Sequence, residues 1–149
     1  MINIETIGFK YKKNKAIYLQ IAERINDMII TGKYREEERI PSVREYAAMV
    51  EVNFNTVMRS FEHLQASGII FNKRGLGYFV VAGACEKIHS IRKEHFLQNE
   101  INDFFKQIYM LEIPINEIVA MYTTYSNQQN KKSLGDLQQK LSQASSCRY

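Results

Sequence analysis

The residues best suited to chemistry stand close together. Asn53, Phe54, Asn55, Thr56 and Arg59 fall within seven consecutive positions at the start of a helical pattern. An asparagine amide can pair bidentately with adenine and an arginine fork with guanine, while a methyl or a ring can pack on a thymine methyl. First-turn N–H groups of a helix also favour a nearby phosphate. The segment therefore has the makings of a base-edge reader. Each residue also has a plainer use. Asn53 is a good N-cap, which is compatible with a phosphate contact. Phe54 can serve as a staple on its own domain, and Thr56 as surface. Arg44 lies one turn into the preceding helix and can reach a nucleic-acid backbone. Its plainer role is a surface ion pair worth under ~1 kcal/mol. Lys73, Arg74 and Gly75 form a basic turn suited to phosphates or to a narrow minor groove.

These side chains need elements to hold them. Tyr18, Ile21, Ile25, Met28 and Ile29 recur at helical spacing, so a helix is expected over about Ile17 to Thr31, stopped by Gly32. Ser42 and Glu45 make a capping box after Pro41, and Val43, Tyr46, Ala47 and Val50 give the helix that follows one apolar face. Asn53 opens the next helix, where Val57, Phe61 and Leu64 form one buried stripe and Gly68 ends it. Two capped helices joined by a short turn make a helix-turn-helix. The start of the second is the part that enters a major groove. Ile69–Phe71 and Tyr78–Val81 are β-prone runs around Asn72-Lys73-Arg74-Gly75-Leu76-Gly77, which predicts a hairpin with a basic tip. Three helices and such a hairpin make a winged helix-turn-helix ending near Gly83.

The rest of the chain differs. A helical pattern runs over about Glu86 to Leu111, in which Leu97, Ile101, Phe104, Ile108 and Leu111 step by 4, 3, 4 and 3, a heptad-like seam. Pro114 restarts the chain, and Ile115, Ile118, Val119, Tyr122 and Tyr125 mark a shorter helix. Two short helices cannot bury that seam alone, so it is expected to form a homodimer interface. The expected fold is mainly α with a small β-hairpin. Residues 1–83 are a winged helix-turn-helix domain with a basic N-terminal arm, 84–127 a helical dimerisation region, and 128–149 a polar tail, weakly helical or disordered.

Bulk properties narrow the function classes. The 149 residues carry a formal net charge of +4, which tolerates a polyanionic partner without demanding one. Lys10, Lys12, Lys13 and Lys15 crowd the N-terminal arm. No apolar run approaches the ~20 residues of a membrane span, and the N-terminus lacks a secretory pattern. Cys85 and Cys147 are the only cysteines, too few for a disulfide framework, so a reducing cytoplasm is expected. No phosphate loop, nucleophile elbow or paired-histidine metal motif is present. Cys85 and His89, four apart, are two ligands short of a zinc site. No enzyme activity, metal or cofactor is therefore expected. The alternative to DNA binding is a winged helix used only for protein contacts.

Gly32 to Val80 resembles the DNA-binding domain of GntR-family bacterial transcription regulators. The resemblance rests on Ile40-Pro41-Ser42 with Arg44-Glu45, on the helix "NTVMRSFEHL" with Gly68, and on the wing "KRGLGYFV". "IYLQI" from Ile17 and "VNFNTV" from Val52 resemble the YtrA branch in particular, as does the short C-terminal part. Phe54 stands where that branch usually has proline, and Met58 where many members have a DNA-contacting arginine. The resemblance implies DNA contacts at Arg44, at Asn53 to Thr56, at Arg59 and at Arg74 and Gly75 of the wing. It also implies a homodimeric repressor on a two-fold-symmetric operator, and control of ABC-type transporter genes. It leaves room for a small-molecule effector, although ~65 residues after the wing are too few for the large ligand-binding domain of other branches.

Overall fold

The structure, a computed structural model, describes residues 14–146. Lys10, Lys12 and Lys13 of the basic arm, and Cys147, lie outside the described residues. The chain divides into two compact units, one ending at His95 and one beginning at Phe96.

The first unit contains α1 (Ile17–Ile30), α2 (Val43–Val50), α3 (Phe54–Ala66), β1 (Ile70–Lys73), β2 (Gly77–Val80) and α4 (Ala84–His95). Local chemistry sets most of these boundaries. The Glu45 N–H donates to Ser42 Oγ at 3.1 Å and the Ser42 N–H to Glu45 Oε2 at 3.0 Å, the expected capping box. Asn53 caps α3, its Oδ1 accepting from the Asn55 N–H at 2.8 Å. At the other end of α3 the Ile69 N–H donates to the Leu64 carbonyl at 2.9 Å and Gly68 N–H to Gln65 at 3.0 Å. This Schellman turn needs a left-handed residue, and Gly68 supplies it at φ +72° without a Cβ penalty.

α3 is the hub, packed on α1, α2 and β1. Val57, Phe61 and Leu64 are buried as their spacing predicts. The Phe61 ring meets Tyr78 edge-on at 5.0 Å and Tyr46 at 6.1 Å, so one side chain ties α3 to both α2 and the wing. β1 and β2 pair antiparallel with Ile70 opposite Val80 and Lys73 opposite Gly77. A third edge comes from the loop before α2. The Ile40 N–H donates to Tyr78 O at 3.0 Å, the Val80 N–H to Glu38 O at 3.1 Å, and Arg39 bridges Phe79.

The first unit extends beyond Gly83, where the sequence pattern ends it. Ala84 and Ile88 of α4 are buried in the core around α1 and α3. Arg92 Nη2 donates to Asp27 Oδ1 at 2.8 Å and to Glu23 Oε2 at 3.2 Å on α1. The Glu36 carboxylate receives the N–H groups of Gly83 at 2.9 Å and Cys85 at 3.1 Å, capping α4 from a distant loop. Those two bonds lower the Glu36 carboxyl pKa from its usual value. Desolvation first, and the facing Glu36 second, raise that of the Cys85 thiol.

The second unit holds α5 (Ile101–Met110) and α6 (Ile115–Ser146), preceded by a π-helical turn at Phe96–Glu100. The expected helix over Glu86–Leu111 is therefore interrupted. Leu97 sits in the π turn, Ile101, Phe104 and Ile108 lie on α5, and Leu111 is its C-cap. Residues 128–146, expected as a weakly helical or disordered tail, continue α6 to a length of 32 residues. They contain no proline and are rich in Gln, Lys and Leu, all good helix formers. Among the described residues no helix is long and apolar enough to cross a membrane.

Candidate nucleic-acid interface

The two capped starts place the candidate readers. Phe54 is the first residue of α3 and 45% exposed. It is not the staple, because a staple precedes the cap. Val52 occupies that place and packs on the core cluster that includes Val57. Asn53 and Asn55 are exposed, Thr56 half-buried and Arg59 exposed. With its Oδ1 used in capping, Asn53 keeps its amide nitrogen as a donor.

Arg59 is not a loose surface arginine. Its guanidinium carbon lies 4.1 Å from the centroid of the Tyr18 ring on α1. The same ring meets His63 edge-on at 6.1 Å. Ser60, fully buried between Arg59 and Phe61, places its Oγ 2.8 Å from the Tyr18 carbonyl and 3.1 Å from that of Thr56. Tyr18, Asn55, Thr56 and Arg59, with Ala16 and Ile17, line a cleft of about 360 Å³ between the starts of α1 and α3.

Arg44 is exposed in the first turn of α2 and makes no ion pair with any described residue. The ion pair at that end of α2 belongs instead to Arg39 and Glu45, at 3.9 Å. In the wing, Arg74, Gly75 and Leu76 form the tip, closed by the Leu76 N–H donating to Lys73 O at 2.9 Å. Gly75 takes φ +76° there, a conformation strained for other residues. Lys73 stands lower, its Nζ 5.2 Å from the Phe79 ring centroid, and Phe79 stacks on Phe71 at 5.8 Å. Among the described residues of the wing, the cation at the tip is therefore Arg74. Arg39 lies across the wing, close enough that a Cβ on Gly77 would sit 3.0 Å from its Nε.

Local sequence pattern does not mark Tyr18, Ser60 or Arg39 for a role at this surface. A polar Ser60 beside Phe61 on the buried stripe was the available signal. The partners of Tyr18 and Arg39 are distant in sequence and left none. Among the described residues no group of three or more His, Cys, Asp or Glu is placed to hold a metal ion.

Known proteins are similar to this chain in sequence and fold. The family model of "Bacterial regulatory proteins, gntR family" matches residues 17–80. The HTH-type transcriptional regulator YhcF of Bacillus subtilis is 29% identical over 117 residues, 78% of this chain and 95% of its own. The HTH-type transcriptional repressor YtrA of the same organism is 32% identical over 73 residues, 49% of this chain and 56% of its own. A crystal structure of a GntR-family transcriptional regulator from Bacteroides thetaiotaomicron is 57% identical with a TM-score of 0.69, covering 76% of this chain and 99% of that one. The chain therefore belongs to the GntR family of bacterial regulatory proteins, non-enzymatic transcription regulators that bind DNA.

Proposed function

We propose that this protein is a cytoplasmic repressor of the YtrA branch, binding a two-fold-symmetric operator as a homodimer. The observation that carries the DNA-reading part is the exposed polar start of α3, capped by Asn53, together with the exposed Arg44 on α2 and Arg74 at the wing tip. Arg44, Asn53, Lys73, Arg74 and the backbone at Gly75 contact phosphates and fix register. Asn55, Thr56, Arg59 and Phe54 read base edges, with the half-exposed Phe54 ring against a thymine methyl.

The dimer is supported by the second unit. Leu97, Phe104 and Leu111 are 51%, 41% and 69% exposed in one chain, and Ile101 and Ile108 are only half-buried. Apolar residues at such spacing are more often an interface than a ligand cage. A two-fold dimer would present two copies of α3 to two half-sites. An effector would then act by changing dimer geometry and half-site spacing. The likeness to YtrA over 56% of its length, and the resemblance of "IYLQI" and "VNFNTV", support the branch, and the resemblance to that branch implies transporter genes as targets.

Selection of bound duplexes from a random pool tests this reading. Enrichment of an inverted repeat is the expected result. Recovery of no preferred sequence would favour a winged helix that serves protein contacts.

A further inference from the structure

We propose that Tyr18 is a positioning residue for DNA reading, acting through Arg59. The inference rests on the base-reading role proposed above for Arg59 and adds the device that makes it selective. A guanidinium has two kinds of surface. Its faces stack on aromatic rings, and its edge carries the N–H donors in a planar fork. With its carbon 4.1 Å from the Tyr18 centroid, Arg59 spends a face on the ring, which leaves the fork for a bidentate partner. An unsupported arginine must lose its rotamer freedom on binding, and a stacked one has lost much of it beforehand.

The ring is itself fixed. Tyr18 lies in the first turn of α1, only half-buried, so core packing alone does not hold it. Ser60 Oγ bonds its carbonyl at 2.8 Å, and His63 meets its ring edge-on. Both residues belong to α3, as Arg59 does. The start of α1 and the reading face of α3 are thus one rigid assembly around the cleft that Asn55 and Thr56 share. Position along α1 is thereby transmitted to the fork.

The test uses the full-length chain with the duplex selected from the random pool and a mixed-sequence duplex. Tyr18→Phe keeps the ring and should bind both as the parent does. Tyr18→Met keeps much of the bulk without the ring and should lose about tenfold on the selected duplex, with little change on mixed DNA. In an Arg59→Ala background, Tyr18→Met should lose nothing further. An equal loss in that background, an equal loss on both duplexes, or a loss in Tyr18→Phe matching that in Tyr18→Met would overturn the proposal. Arg59→Ala leaving the preference for the selected duplex intact would instead sink the reading beneath it. A second measurement needs no variant. Stacking should shift the Arg59 side-chain proton resonances upfield in the free protein, and random-coil positions would contradict it.

Discussion

Phe61 and Phe104 are the same side chain in opposite situations. Phe61 is 0% exposed, between Tyr46 and Tyr78, in a unit whose apolar positions find partners within one chain. Phe104 is 41% exposed, and around it Phe105, Tyr109, Leu111 and Tyr122 remain open to solvent. The first unit closes its own core because α1, α2 and β1 pack around α3, and α4 packs on α1. The second has two helices, and among the described residues it buries no apolar side chain fully. On the proposed reading, the closed unit presents DNA-contacting side chains from a preformed core, and the open one keeps its apolar surface for a second copy of the chain.

That contrast can be broken by experiment. Phe61→Ala should cost ~3–5 kcal/mol in denaturant unfolding, because it leaves a cavity among three elements. A loss under ~1 kcal/mol would mean that the core is not closed as described. The double substitution Phe104→Glu with Ile108→Glu should weaken self-association by ~100-fold or more, since charges would be buried at the centre of the seam. Ultracentrifugation at micromolar concentration should then show monomer while the melting of the first unit persists. A parent protein already monomeric there would contradict the dimer.

Smaller effects sharpen the contrast within the first unit. Arg59→Ala should cost ~1–3 kcal/mol in binding and relax specificity at one base pair. Equal loss on every sequence would make Arg59 a phosphate contact. Ser42→Ala should remove ~1 kcal/mol of stability through the capping box of α2. The smallest change is at Glu36. Its folded pKa lies below the usual 4.5, so its contribution is full above that value and lost as pH falls through the folded pKa. Glu36→Gln should therefore lower the melting temperature slightly near neutral pH and flatten its decline in acid. An unchanged acid limb would remove Glu36 as the cap of α4.

What was legible in the sequence follows from the range of the interactions. Ser42, Glu45, Asn53 and Gly68 act on backbone groups within a few positions, so α2, α3 and the hairpin could be read directly. The period of Val57, Phe61 and Leu64 gave the buried face. The end of α5 near Leu111 was legible from the apolar period and Pro114, but its turn chemistry was not. There the Ile113 N–H donates to Ile108 O at 3.0 Å around Glu112 at φ +53°, a left-handed turn without glycine. α4 joins the first unit through Glu36, 47 positions before Gly83, and Arg92, 69 positions after Glu23. Local pattern carries no record of such contacts. The stack of Tyr18 on Arg59 is hidden for the same reason, 41 positions apart in the chain: the pattern marks Arg59 as a reader and Tyr18 only as part of the apolar face of α1.

DNA reading by the start of α3 is tested by affinity for the selected and mixed duplexes across a salt series. A steep negative slope of log affinity on log salt is expected for both. The selected duplex is also expected to bind on the order of 10³-fold or more tightly than mixed DNA at physiological salt. Absence of binding to either duplex at low salt would contradict DNA reading by α3.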